Sequence, residues 1–127
     1  MELALVFPVA MMLLVLVTDA GRLFYTYIGV TNAAREGAAY GMSHPTCWSN
    51  GSGTNQCPNP ANITYLARQE LAQDASLSVS VACNSACATS TSLSGNSITV
   101  STSRSFAFLF PLIPTMTISA SATAVVQ

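Results

Sequence analysis

The first 42 residues constrain this chain more than any other feature of its sequence. Residues 3–18 are an uncharged, almost wholly apolar run, and an Ala/Gly-rich segment then continues to residue 42. As one continuous helix, at about 1.5 Å per residue, this stem would be a rod roughly 60 Å long. A chain of 127 residues has no interior that could enclose such a rod. The front of the stem therefore has to be covered by lipid or by the same segment of other copies.

Residues 43–127 form the predicted head, and their composition limits what the head can bind. The chain has four arginines, no lysine and a net charge of −1. Nothing in it would neutralise a phosphate backbone, so nucleic acid is not an expected partner. The polar residues of the head are mostly Ser, Thr and Asn, a composition typical of glycan-bearing extracellular surfaces.

All four cysteines lie in the head, which favours disulfides and an oxidising compartment. Three pairings are possible. Cys47–Cys57 and Cys83–Cys87 are favoured because each pair closes a short local loop. The alternative is a zinc site built from the four cysteines, with His44 as a further ligand, although the spacings lack the paired knuckles of such sites. No cofactor is expected.

Several stem residues are candidates for a role in assembly. Glu2 favours the positive end of the helix dipole; it either rests at an interface or pairs with the α-amino group of its own or a neighbouring chain. Pro8 lacks an N–H group, so we expect a kink or a loosened turn there. A stripe of small residues recurs every four positions, at Gly29, Ala33, Gly37 and Gly41. It either admits another backbone or seats the chain's own head on the helix.

The end of the apolar run carries a charged pair followed by aromatic residues. Asp19 and Arg22 stand three positions apart on one helix face and can form an ion pair. Phe24, Tyr25 and Tyr27 fit either an aromatic belt at a membrane interface or packing against a neighbour.

The head is predicted to contain one short helix and a small antiparallel sheet. Asn59 and Pro60 have the pattern of an N-cap and a first helical residue, with the helix continuing to about Ala75. Period-two alternation predicts three strands, at residues 77–83, 98–108 and 116–123. The expected fold class is therefore α+β: a long N-terminal helix, one short extra helix, and a sheet whose apolar face packs on the second half of the stem.

Residues 106–114 do not fit a plain soluble sheet, because they contain two prolines and no charged side chain. Exposed on a monomer, they would be an adhesive apolar patch. They are either tucked under the sheet or pressed against a neighbouring subunit or a membrane.

The sequence contains no catalytic constellation, and the chain is not expected to be an enzyme. Its only histidine, His44, lies in a loop without an evident carboxylate or nucleophile around it. Glu70 and Asp74 stand one helical turn apart and could bind a cation, although a solvated helix face is the simpler interpretation. Asn50 and Asn62 each begin a match to the glycosylation sequon Asn-X-Ser/Thr and are candidate glycan sites.

Five segments together resemble the TadE-like pilins of tight-adherence systems. They are ELALVFP at residues 2–8, DAGRLF at 19–24, TNAAREGA at 31–38, FPL at 110–112 and ISASAT at 118–123. The resemblance covers the stem strongly and the last thirty residues loosely, and the cysteine-containing loops are not part of the shared pattern.

This resemblance implies a structural subunit of an extracellular pilus of the type IV-related, tight-adherence kind that supports adhesion. Such proteins are made as precursors, trimmed by a prepilin peptidase and polymerised through the apolar helix. Glu2 matches the family's acidic residue near the mature N-terminus, which is thought to meet an N-terminal amine during assembly.

The implied partners are further copies of the chain in a helical homo-oligomer, the inner membrane before assembly, and the pilus assembly machinery. The implied location is a pilus on the bacterial cell surface. Two alternatives share the stem: a minor pilin or membrane-anchored assembly factor, and a surface module whose head binds a ligand or glycan.

Overall fold

The stem folds as one helix, and the head packs on its second half. The structure, a computed structural model, describes residues 2–48, 57–84, 95–109 and 113–126. Its helices are α1 (Glu2–Ser43) and α2 (Ile63–Gln69). Its strands are β1 (Ser78–Cys83), β2 (Ser97–Phe106) and β3 (Met116–Val125). This architecture confirms the predicted α+β class with a long N-terminal helix, a short second helix and an antiparallel sheet.

The three strands form one antiparallel sheet in the order β1-β2-β3. Val100 in the central strand pairs with Val81 on one side and with Ala122 on the other. Because successive side chains of a strand point to opposite faces, one face of β2 is buried and the other carries hydroxyl groups. The strand ends at Phe106, two residues before the predicted limit.

Small residues on α1 allow the inward side chains of β2 to lie directly on the helix. A Cβ added to Gly41 would come within 3.0 Å of Ile98 Cδ1, and one added to Gly37 within 3.0 Å of Val100 Cγ1. At such distances even a methyl group at either helix position would push its neighbours aside by a few tenths of an ångström. The close approach buries Ile98 and Val100 completely.

Further along, β2 continues to follow α1 in the antiparallel direction. The Thr102 hydroxyl donates a 2.8 Å hydrogen bond to the Val30 carbonyl oxygen. The guanidinium carbon of Arg22 lies 5.3 Å from the centre of the Phe106 ring. From the first of these helix contacts to the last, the strand covers about 26 Å and the helix about 28 Å. Because these two lengths are nearly equal, the strand stays in contact with the helix along its whole length.

Both buried core clusters include residues of the stem. The first cluster consists of Val30, Ala33, Leu71, Leu77, Phe106 and Ile118. The second consists of Ala38, Ile63, Ile98, Val100 and Val126. The second half of α1 is thus part of the core of the head, so the boundary drawn at residue 42 does not separate two cores.

The second helix begins later than the sequence predicts. Its N-cap is Asn62, not Asn59, because the Asn62 side-chain oxygen accepts a 2.7 Å hydrogen bond from the Tyr65 N–H. Both asparagines precede helix-compatible residues, and the pattern Asn59-Pro60 favoured the wrong one.

The same helix also ends earlier than predicted, at Gln69 instead of about Ala75. Ala72 and Gln73 follow with φ angles of 52° and 62°, which are left-handed and cannot continue a right-handed helix.

Candidate assembly surface

The first half of α1 carries a large uncovered apolar surface. Nine large apolar side chains between residues 6 and 17 are 38–72% exposed: Val6, Phe7, Val9, Met11, Met12, Leu13, Leu14, Leu16 and Val17. Over the residues that the structure describes, α1 is the one helix long and apolar enough to cross a membrane. The head leaves this half of the helix bare.

The exposed apolar surface continues past the charged pair as an aromatic group. Phe24, Tyr25 and Tyr27 are 66%, 71% and 54% exposed. Phe24 and Tyr27 also border a groove of about 500 Å³ between the helix and β3, whose far wall includes Met116 and Ile118. The aromatic residues are therefore free to meet lipid or a neighbour, and both sequence interpretations stay open for them.

Asp19 on the stem is hydrogen-bonded to Leu109, which lies in the segment between β2 and β3 (residues 107–115, here called the β2–β3 connection). Its two carboxylate oxygens accept the Leu109 N–H at 2.9 and 3.1 Å, and Arg22 Nη1 lies 3.1 Å from Oδ1. Asp19 is only 3% exposed. The 3.1 Å distance between Asp19 and Arg22 confirms the expected ion pair. The contact with Leu109 could not be found from the sequence, because the two residues lie 90 positions apart and no local pattern links them.

The small-residue stripe faces the chain's own head. A Cβ added to Gly29 would lie 2.6 Å from Leu71 Cδ2, Ala33 is fully buried, and the sheet and α2 cover the rest of the stripe. The stripe is therefore not open to a neighbouring stem. Its assignment to contacts between subunits is corrected to the other alternative, the seating of the head; the residues concerned are Gly29, Ala33, Gly37 and Gly41.

Glu2 and Pro8 both lie within α1. Pro8 is exposed, and the helix continues through it on both sides. The side chain of Glu2 lies outside what the structure describes, so its expected pairing with an amine stays a prediction.

The three cysteines that the structure describes are all disulfide-bonded. Cys47 and Cys57 are joined, with their Cα atoms 5.1 Å apart. Cys83 is also disulfide-bonded, and its expected partner, Cys87, lies outside the described residues. The pairing of Cys47 with Cys57 contradicts the alternative of a zinc site built from all four thiolates.

His44 does not complete such a metal site either. Its ring stacks on Tyr40 with centroids 4.3 Å apart, and its Nδ1 lies 2.9 Å from the Ser43 hydroxyl oxygen. Across the described ranges, no group of three or more potential ligands could hold a metal ion.

Asn62 is not placed to carry a glycan. It is 1% exposed, and its side-chain amide donates to the Asn59 side-chain oxygen at 2.7 Å and to the Cys57 carbonyl oxygen at 3.3 Å. In the folded chain this nitrogen is buried and used in two hydrogen bonds, so the structure assigns Asn62 to a structural N-cap and contradicts a glycan there. The other sequon asparagine, Asn50, lies outside the described residues.

Asp74 is engaged within the head and does not join Glu70 in a cation site. Its Oδ2 lies 2.6 Å from Arg104 Nη2, and its Oδ1 accepts the Ser76 N–H at 2.8 Å. The backbone hydrogen bond from Ser76 is the main cause that lowers the pKa of Asp74 below its ordinary value, and the charge of Arg104 acts in the same direction.

The outer face of the sheet is lined with hydroxyl groups. Ser101 of the central strand pairs with Ser80 and Ser121 on its two neighbours. One step along, the hydroxyl oxygens of Thr99 and Thr123 lie 2.9 Å apart. This face is thus made polar by uncharged hydroxyl groups, which explains how a head with so few charged residues keeps a polar surface.

Comparison with known proteins places the stem in a family context. Residues 1–39 match the family model described as TadE-like protein, which confirms the resemblance for that part of the chain. No curated protein and no solved structure gives a significant match. The TadE-like family is structural and related to tight-adherence pili, and together with the apolar helix the match indicates a membrane-anchored, surface-associated protein.

Proposed function

We propose that this chain, whose stem is TadE-like, is a structural subunit of an extracellular pilus of the tight-adherence kind. The observation that carries the proposal is the division of α1: its second half is covered by the head, and its first half is apolar and bare. A helix of this kind is stable only when something else covers the bare half. Lipid covers it before assembly, and the same segments of other copies cover it in the fibre.

That burial would hold an assembled subunit against release into water. Full burial of a large aliphatic or aromatic side chain contributes about 1.5–3 kcal/mol. The nine exposed side chains of residues 6–17 are on average about half exposed, so each would contribute about 1 kcal/mol. The sum, about 10 kcal/mol per subunit before the entropy cost of association is subtracted, opposes the release of a subunit from the fibre into water. It does not drive transfer from lipid, which is as apolar as the fibre core.

The surfaces proposed to meet other subunits are the bare half of α1 and the exposed aromatic residues Phe24, Tyr25 and Tyr27. Glu2 is proposed to meet an N-terminal amine of a neighbouring chain, as the family resemblance implies, and Pro8 to loosen the helix so that neighbours can pack. Adhesion is proposed to use the heads, which would lie outside the fibre with their hydroxyl-lined sheet face toward solvent.

The experiment places a charge in the bare half of the stem and follows incorporation into filaments. Leu14 is 63% exposed and distant from the head. We expect Leu14→Arg to be absent from shear-released filaments while still present in the membrane fraction. Leu14 lies about one helical turn from the end of the apolar run, so in the bilayer the long Arg side chain can reach the headgroups, whereas packed stems in the fibre core offer the guanidinium no such route to water. Ser121→Arg, on the exposed outer face of the sheet, is the matched control and should be incorporated.

Two results would overturn this assignment. Incorporation of Leu14→Arg at the level of the unmodified chain would mean that the bare half of α1 is not the polymerisation surface. Filaments that contain the unmodified chain only in trace amounts would identify it as a minor pilin or assembly factor.

A further inference from the structure

We propose that the edge of the head nearest the bare half of α1 lies in the headgroup region of the bilayer while the chain is anchored in the membrane. This edge, here called the collar, consists of Leu109, Ile113 and Met116 together with Phe24 on the adjoining stem. The proposal rests on membrane anchoring of the stem and assigns lipid as the partner of these four side chains.

The hydrogen bond between Asp19 and Leu109 sets the height of the collar along the stem. The Leu109 N–H is held 2.9 Å from a carboxylate oxygen of Asp19. Asp19 is the first residue after the apolar run, which ends at Thr18. The collar therefore lies where a membrane-spanning stem would leave the hydrocarbon.

The length of the apolar run places the bilayer surface at this same level or above it. Residues 3–18 rise about 24 Å as a helix, whereas the hydrocarbon core of a bilayer is about 30 Å thick. The missing length corresponds to about four more residues and brings the membrane edge to about Arg22. An upright stem therefore draws the collar into the boundary between acyl chains and headgroups, unless the bilayer thins.

The exposed side chains of the collar suit that environment. Leu109 is 58% exposed, Met116 43%, Ile113 39% and Phe24 66%. Residues 105–117 contain no charged side chain. In water such a patch would be adhesive, whereas at the edge of the hydrocarbon it adds apolar contact to an anchor that is otherwise short.

The charged groups at this height are compatible with lipid. A free carboxylate at the membrane edge would be costly, but Asp19 is buried in the protein and accepts hydrogen bonds from Leu109 and Arg22. The Arg22 side chain is 48% exposed, so its guanidinium can also extend toward lipid phosphates.

The test measures the depth of the collar by fluorescence quenching in membranes. The full chain with Leu109→Trp is reconstituted into phosphatidylcholine vesicles whose acyl chains are brominated near the headgroup. The control carries Ser121→Trp on the outer face of the sheet. The native Trp48 contributes equally to both. It follows the far end of α1, which lies roughly 36 Å from Asp19 along the helix, and packs against the second core cluster. Met116→Trp provides a second collar position.

We expect the emission of Leu109→Trp and of Met116→Trp to shift to the blue and to be quenched several-fold more strongly than that of Ser121→Trp. Equal quenching in collar and control variants, with all chains bound to vesicles, would overturn the collar but not the pilus assignment. A blue shift in isolated filaments without quenching in vesicles would also overturn it, because the collar would then belong to contacts between subunits. Failure of the unmodified chain to bind vesicles would overturn the collar and the membrane-anchored step of the proposed function together.

Discussion

Replacing Asp19 with alanine should release the β2–β3 connection from the stem and destabilise the head by about 2 kcal/mol. A hydrogen bond to a charged group contributes about 1.5–3 kcal/mol, and the Leu109 N–H donates such a bond to Asp19. The ion pair with Arg22 adds about 0.5 kcal/mol at most, because the Arg22 side chain is 48% exposed. The substitution also removes the cost of burying a carboxylate, which keeps the net loss near the lower part of that range.

The assay is denaturant unfolding of the full chain in detergent micelles, followed by the fluorescence of Trp48. Trp48 packs against the second core cluster, so its emission reports on the head while the micelle holds the stem. A loss of about 2 kcal/mol corresponds to about a 30-fold larger unfolding equilibrium constant. Hydrogen exchange at the Leu109 amide should accelerate as well, because that amide loses its acceptor.

Two further variants separate the hydrogen bond from the general loss of a carboxylate. Glu36→Ala removes an exposed carboxylate from the same helix and should change stability by less than about 0.5 kcal/mol. Asp19→Asn keeps an oxygen acceptor without its charge and should lie between Asp19→Ala and the unmodified chain. If Asp19→Ala proved as stable as Glu36→Ala, with unchanged exchange at Leu109, the carboxylate would not be what holds the connection.

Three further changes test the packing, the acid sensitivity and the cross-link of the head. Gly37→Leu should lower the unfolding free energy by about 1–3 kcal/mol in the same assay, because the sheet lies directly on that position. Gly21→Leu, where a Cβ would meet nothing within 4 Å, should not; equal losses would contradict the packing. Asp74 has a lowered pKa in the fold, so the stability it contributes is present above its ordinary pKa and is lost as the pH falls through the folded value. Thermal melts of Asp74→Asn should therefore show a smaller drop in Tm on acidification than the unmodified chain, and an identical drop would contradict this role. The double change Cys47→Ser and Cys57→Ser removes a cross-link between residues 10 positions apart and should cost about 3 kcal/mol, whereas a loss below about 0.5 kcal/mol in denaturant unfolding would show that the loop is held by other contacts.

The elements of this fold were predictable because each has a strong local pattern. The stem has the composition of a long helix, and α1 extends from Glu2 to Ser43. The strands alternate apolar and hydroxyl side chains with a period of two, which places Ile98 and Val100 on the buried face as expected. Patterns of this kind depend on neighbours in sequence, so the chain order alone is sufficient to find them.

The small-residue stripe shows where sequence patterns become ambiguous. A helix face made of Gly and Ala admits any close neighbour, and the chain's own sheet and a second stem require the same residues. Only the tertiary structure shows that Gly37 lies under Val100. The same limit applies to Asp19, whose hydrogen-bond partner is distant in the chain.

The assignment of caps failed for a related reason. Asn59 followed by Pro60 is a strong helix start, and Asn62 without a proline is a weaker one. The choice between them is made by tertiary contacts: Ile63, directly after Asn62, is fully buried against the stem and donates its N–H to the Cys47 carbonyl oxygen at 2.8 Å. The helix therefore begins where its first residue can enter the core.

The two halves of α1 differ in side-chain size in the way that their partners require. Where the helix meets its own head, small residues such as Ala33 and Gly37 allow a fixed set of sheet side chains to come within van der Waals distance. Before Thr18 the helix instead carries Leu, Met, Val and Phe, whose size gives more apolar area to bury but no unique fit. Such side chains suit a partner that is fluid or repeated, since lipid and an identical stem can both adapt to them. The change from large to small residues therefore indicates that only the second half of the helix has its partner within this chain.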